Sequence, residues 1–397
     1  MANAATKERM DQADIVIVGG GIVGSSIAYH LAREGGAGSI VVIERDPSYE
    51  FAASPRSNGG IRRLFSRPQN IAMASHGLEF YRDFANNMAV DGEPVDIGFQ
   101  RQGYLFLSDN GGSRQMEENY QTQIAAGVDA ELLMPTELAA RFPSLSTAGV
   151  ELAVLSANDA WIDPHAALMG FKRRARSLGV RYLAAEVAAL VADDTAVRAV
   201  RLADGGEIKG EAFVNACGAW CAELSATVDL PLPVEPMSRE SYYWRCEDDI
   251  EPLPFVKTET DLAIRPEGAG FIGGVPDWTE SPGWNFDVSP DHFESVVWPA
   301  LADRIPAMER LRLERSWRGH YARSVLDLSP ILGSPGGRLC NLYLANGFSG
   351  HGIMHAPATG RGIAELILHG EYRTLDLGCF GYERIRRNEP FREKGIV

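Results

Sequence analysis

The order of apolar runs predicts an α/β chain of two domains, one layered and built from three separate segments, the other an antiparallel sheet inserted between them. Three observations carry this reading. A strand, glycine turn, helix and second strand open the chain at 14–45. Similar spacing returns near 180–220 and again at 340–370, while the stretches between read as short alternating strands. A length of 397 residues agrees with two or three folding units.

Each element follows from local pattern. In DIVIVGGGIVGSSIAYHLAREGG, residues 15–18 form a β-branched run suited to a buried parallel strand. Residues 25–34 switch to helical spacing, with Ile27 and Leu31 inward, and Gly35–Gly36 ends the helix. SIVVIER at 39–45 is the next strand. The polar, arginine-rich stretch 51–70 reads as loop and 71–89 as helix. A strand at 103–108, a polar helix at 113–126 and a proline-entered helix at 135–142 follow. A further helix lies within 161–179, with Pro164 at its start. Next come a strand around Val187, a strand pair over 205–220, and an antiparallel sheet across 231–300. The last third reads as strand and glycine loop at 341–352, then helix at 360–370.

Composition excludes several classes. Thirty-eight Lys+Arg against 53 Asp+Glu leave −15, and no basic stripe offsets it, so nucleic acid is not an expected partner. Five scattered cysteines do not form a disulfide framework, and Cys217 and Cys221 lack the further ligands of a metal site; none is expected. Residues 1–13 are polar and no 18-residue apolar stretch occurs, so neither a signal peptide nor a membrane span is expected, and the cytoplasm is the expected location.

The opening turn carries the chemistry. Gly19-x-Gly21-x-x-Gly24 lies between strand and helix, with Glu44 twenty residues beyond Gly24. Gly19 suits a tight turn, Gly21 a close approach to a diphosphate, and Gly24 close helix–sheet packing, while Glu44 would hold ribose hydroxyls. The chain leaves the nucleotide pattern after Glu44 and returns much later, which favours a long, enclosed dinucleotide.

GGGIVG with Glu44-Arg45, SPRSNGG at 54–60, VNACGAW at 214–220 and GFSGHG at 347–352 resemble the FAD-dependent oxidoreductases of the D-amino acid oxidase superfamily over nearly the whole chain. GGIRRLFSRPQNI, LPVEP, RIPAME and GFSGHGIMHAPATGRGIAELILHGEYRTLDL further resemble its mitochondrial branch linked to respiratory complex I assembly. The resemblance implies a discontinuous Rossmann-like FAD-binding domain at 1–90, 151–225 and 321–380. It implies a substrate domain at 91–150 and 226–320, with a C-terminal tail at 381–397.

By position, it also implies that Gly19, Gly21, Ile22, Val23, Gly24, Glu44 and Arg45 belong to the FAD site. Ser54, Ser57, Asn58 and Gly59 would run past the flavin ring. Val187 would meet the adenine side, and Gly218 with Trp220 the diphosphate. Gly347, Gly350, His351 and Gly352 would aim N–H groups at the pyrimidine end of the flavin, where reduction gathers negative charge. Relatives that bind FAD covalently use a cysteine or a histidine where this chain has Gly319 and Ser57, so non-covalent FAD is implied. The oxygen-activating lysine of sarcosine oxidases falls at Ile272, their carboxylate-binding lysine at Met354, and the clamp arginine of glycine oxidases at Tyr321.

The implied reaction oxidises the C–N bond of an amino acid or N-substituted amino acid to an imine, with oxygen or an electron-transfer acceptor as the second partner. Such a substrate needs a carboxylate clamp, and arginine suits it. Candidates are Arg63, Arg318, Arg62 and Arg265, in that order, with His320, Tyr321, Tyr242 and Trp244 as walls. Oxidation of a 2-hydroxy acid and a mainly structural or assembly role are the alternatives.

Overall fold

The computed structural model describes residues 11–109 and 111–396; the polar stretch 1–10 lies outside them. A six-stranded sheet forms the centre of one domain, in the order Ile331–Gly333, Leu342–Asn346, Ala212–Asn215, Ile15–Val18, Ile40–Glu44, Arg181–Ala184. All neighbours are parallel except the first pair. Side chains alternate across it. Ile15, Ile17, Val42 and Val214 pack with the helices Ile22–Glu34, Pro164–Ser177 and Gly352–His369. Val16, Val18, Val41 and Phe213 pack on the opposite side with Leu190, Val197, Val200 and Ile208 of a three-stranded antiparallel sheet. Covering on both faces explains why the short strand Ile15–Val18 is wholly apolar and buried.

Two expectations are corrected. Residues 205–220 do not form a strand pair. Glu207–Lys209 joins the antiparallel sheet, whereas Ala212–Asn215 enters the parallel one, because Phe213 and Val214 are both apolar and need cover on both sides. The last long helix starts at Gly352 rather than at 360 and continues through Pro357. Proline removes the N–H that would serve the carbonyl of Ile353. Tyr81 Oη donates to that carbonyl instead, at 2.8 Å. Gly77 allows the close approach this needs, since a Cβ there would lie 2.0 Å from the Met354 carbonyl oxygen.

The second large sheet has eight strands in the order Leu311–Ser324, Val234–Cys246, Gly270–Gly274, Ala263–Glu267, Phe255–Thr258, Tyr104–Ser108, Leu152–Ser156, Ala130–Leu133. It is antiparallel apart from one parallel pair, Phe255–Thr258 with Tyr104–Ser108. Leu152–Ser156 and the end of Leu311–Ser324 belong to it, so the sheet crosses the expected boundaries at 150 and 320. The described part of 381–397 folds back on the molecule: Glu393 accepts from the backbone N–H of Ser66 at 2.6 Å, and Ile396 packs beside Leu64 and Phe106. Among the described residues, no helix is long and apolar enough to cross a membrane.

Candidate active site

One cavity of about 1320 Å³ runs from the opening glycine turn to the face of the eight-stranded sheet. That exceeds the roughly 300–1,000 Å³ of ordinary ligand pockets and leaves room for a dinucleotide with a small second molecule.

At the first end, Gly19 has φ +99°, and a Cβ there would stand 2.4 Å from the carbonyl oxygen of Ala216. A Cβ on Gly24 would lie 2.0 Å from the Gly19 oxygen, so Gly24 serves packing and does not line the cavity. Gly21 has nothing within 4 Å of its Cβ position and opens onto the cavity with Ile22 and Val23. The helix Ile22–Glu34 begins there without a side-chain cap, leaving its first N–H groups for an anion. Glu44 is oriented by N–H groups of Gly20 (2.8 Å) and Asp46 (2.9 Å). Arg45 lies 3.8 Å over the Trp220 ring, which stacks on Trp284 with centroids 4.2 Å apart. This open glycine turn, uncapped helix and ribose-ready carboxylate fit FAD.

Ser54, Ser57, Asn58, Gly59, Val187 and Gly218 line the same cavity, as do Gly350, His351 and Gly352. Gly347 does not. Its φ of +69° makes a turn against Ser324, Val234 and Ile331, so its role is to shape the loop.

At the second end, Arg62 is buried at 3% exposure. It donates to the Leu64 carbonyl at 2.6 Å and, from Nη2, to His351 Nε2 at 3.0 Å, with His351 neutral. Burial first, then Arg62, holds His351 well below the usual histidine range. The guanidinium lies 4.1 Å over Phe65, and no carboxylate pairs with it among the described residues. Lys257 lines the same wall from Phe255–Thr258, opposite Phe106 in register. Burial, then the charge of Arg62, pushes its pKa down to about 7. Arg239, on Val234–Cys246, completes the cationic wall.

Other candidates occupy different places. Arg63 turns away and pairs with buried Asp159, Nε to Oδ1 at 2.6 Å. Arg318 is committed to Glu240 and Glu280, and Arg265 to Glu267 and the Asn58 carbonyl. Tyr242 donates to Glu240, and Trp244 is in the core; none of these five lines the cavity. Tyr321 does line it. His320 borders it with its ring against Trp284 and Phe286. Sequence reasoning missed Lys257 and Arg239. The available signal was a lone lysine in the apolar strand FVKT, and an arginine facing Gly319 and Tyr321 across the sheet.

Among the described residues, no cluster of three or more His, Cys, Asp or Glu could hold a metal, and all five cysteines are free. The family profile described as FAD dependent oxidoreductase (DAO) matches residues 14–366. The chain belongs to this family. It is an FAD-dependent oxidoreductase. This DAO-family enzyme is 36% identical to FAD-dependent oxidoreductase domain-containing protein 1 of Xenopus laevis, over 98% of this chain and 85% of that protein. It is 26% identical to mitochondrial dimethylglycine dehydrogenase of Homo sapiens, over 93% of this chain and 44% of that one. Among solved structures, L-proline dehydrogenase from P. horikoshii matches with a TM-score of 0.86 and 28% identity, covering 96% of this chain and 99% of that chain.

Proposed function

We infer that this oxidoreductase oxidises the C–N bond of an amino acid or N-substituted amino acid. The observation that carries this reading is Arg62, a buried guanidinium beside the cavity with no carboxylate partner among the described residues. A buried unpaired charge is costly, so a site that retains one is suited to an anion that arrives with the substrate. Lys257 adds a second positive group to the same clamp. The similarity to enzymes named for dimethylglycine and L-proline favours a nitrogen that already carries carbon.

In this reading, Glu44 holds the ribose hydroxyls, and the N–H groups of Gly21 to Val23 receive the diphosphate. Ser54, Ser57, Asn58 and Gly59 would border the flavin, as would Gly350, His351 and Gly352. Val187, Gly218 and Trp220 enclose the nucleotide half, and Arg45 stacks outside Trp220. FAD, held without a covalent link, would supply the acceptor for the hydrogen and two electrons of the C–H bond next to nitrogen. Arg62 and Lys257 fix the carboxylate so that this C–H bond faces the flavin. No strong base is needed if the amine binds neutral, because its lone pair forms the new C=N bond. Water would then hydrolyse the imine to a carbonyl compound and an amine, with oxygen or an electron-transfer acceptor as the final oxidant.

Anaerobic bleaching of the flavin across amino acids, N-methyl amino acids and 2-hydroxy acids tests the proposal. Bleaching by the amines, with release of the corresponding amine or ammonia, is the expected result. Bleaching by 2-hydroxy acids alone overturns C–N oxidation.

A further inference from the structure

Beyond the Arg62–Lys257 clamp, the cavity wall carries a third cation that forms no ion pair among the described residues, although the charge of Asp261 acts on it. Arg239 projects from Val234–Cys246, and its guanidinium carbon lies 4.0 Å from the centroid of the Trp278 ring and 5.0 Å from that of Tyr321. Its Nη1 is buried and without a hydrogen-bond partner. Eight acids among the described residues line the cavity; of the three contributed by the eight-stranded sheet and its turns, Glu240 is paired with Arg318, and the other two also have attachments. Asp261 accepts the Trp278 indole N–H at 2.6 Å. Glu259 accepts from Ser108 Oγ at 3.1 Å and from the Asp109 N–H at 3.3 Å. Lys257 feels the charges of both Arg62 and Arg239, and all three residues line the cavity.

We propose that the substrate carries two carboxylates, one met by Arg62 with Lys257 and the other by Arg239. The proposal rests on the reading of this cavity as an amino-acid-oxidising site and narrows it to aminodicarboxylic acids, N-substituted ones included. One carboxylate can answer the clamp, but Arg239 would then remain a partly desolvated cation with an idle Nη1. A second carboxylate supplies the missing acceptor. Arginine suits that task because its planar fork matches two carboxylate oxygens, and Trp278 and Tyr321 hold the plane in position. The substrate's amine lies between its two acid groups, so both anchors contribute to aiming the reacting C–H bond.

The test uses the FAD-loaded protein and two readouts. In the first, oxidised enzyme is titrated with unreactive acids, butyrate against glutarate, followed by the flavin absorbance shift and by thermal stabilisation. Glutarate should bind at least about tenfold more tightly than butyrate. Arg239→Gln should abolish that preference by lowering glutarate affinity, and Arg239→Lys should restore part of it. Equal binding of the two acids in the wild-type protein overturns the proposal, with no variant required. Survival of the preference in Arg239→Gln also overturns it. The second readout is anaerobic bleaching by N-methylglycine against N-methylaspartate and N-methylglutamate, where the dicarboxylic amines should reduce the flavin faster. If glutarate binds through Arg239 but no amine bleaches the flavin, C–N oxidation fails and the second anion site stands. If only monocarboxylic amines bleach it, C–N oxidation stands and the dicarboxylate assignment fails.

Discussion

Arg62 and His351, separated by 289 positions in sequence, meet through Nη2 and Nε2 at 3.0 Å. This contact joins the early arginine-bearing loop to the glycine motif that begins the last long helix. It also turns the guanidinium toward the cavity, since its other donation, to Leu64, stays within its own loop. A neutral His351 can accept from Arg62, and burial keeps it neutral.

Arg62→Met should therefore lower kcat/KM for an amino-acid substrate by the equivalent of about 2–5 kcal/mol, the usual cost of removing one member of a buried charge pair. FAD content should remain near one per chain, because in the proposed reading Arg62 meets the substrate rather than the nucleotide. Stopped-flow reduction under anaerobic conditions, together with the flavin-to-protein absorbance ratio, checks both. Wild-type reduction rates would remove Arg62 from the clamp.

The neighbouring Arg63 should behave in the opposite way. Its partner Asp159 is completely buried, and loss of the guanidinium leaves that carboxyl in the interior without a counter-charge, held by the backbone N–H of residue 63 at 2.8 Å. Arg63→Met should cost about 3–5 kcal/mol of stability, less whatever proton uptake by Asp159 recovers. The folded fraction should still reduce its flavin at the wild-type rate. Thermal unfolding and reduction kinetics on the same preparation separate the two residues.

Much of the cofactor end was legible because its signals are local. Gly19, Gly21, Gly24 and Glu44 lie within one strand–turn–helix–strand unit, so spacing alone predicts their arrangement. The substrate end depends on facts that spacing does not carry. Arg62 and Arg63 are adjacent just after the short strand Gly60–Ile61, and nothing local says which one meets the cavity. Arg318 is opposite Glu240 in strand register, whereas Arg239 is opposite Gly319. A one-residue change of parity thus separates a structural arginine from a cavity arginine. The helix through Pro357 was hidden for a related reason: its missing donor is replaced by Tyr81, which belongs to a distant helix.

Release of FAD tests the nucleotide end. Gly319 and Ser57 cannot form the thioether or histidyl links of covalent relatives, so acid or heat should free intact FAD from the precipitated protein. Glu44→Ala should weaken FAD binding by about 1.5–3 kcal/mol, the worth of a hydrogen bond to a charged group, without altering which amines are oxidised. Equilibrium dialysis of the apoprotein against FAD gives the affinity. Flavin that stays with denatured protein, or an unchanged dissociation constant, would contradict these two expectations in turn.

The pH dependence of anion binding should report Lys257. Burial is the largest cause of its low pKa of about 7, the positive charge of Arg62 comes next, and Arg239 adds to it while Asp261 opposes it. A lysine with a lowered pKa is cationic below that value and neutral above it. A carboxylate ligand binds the cationic form better, so affinity should fall as pH rises through about 7. Acetate is the suitable ligand, because it has no amine to titrate and stays ionised throughout the range. Its dissociation constant should rise by up to about tenfold per pH unit above neutrality. The rise should stop once the pH passes the pKa of Lys257 in the complex, which the bound carboxylate raises. Lys257→Gln should bind acetate more weakly at about pH 6 and show a nearly flat profile to about pH 9, with Arg62 as the remaining charge. Titrations read by the oxidised flavin spectrum supply both curves. A flat wild-type profile, or a slope that persists in Lys257→Gln, would show that another group governs anion binding in this cavity.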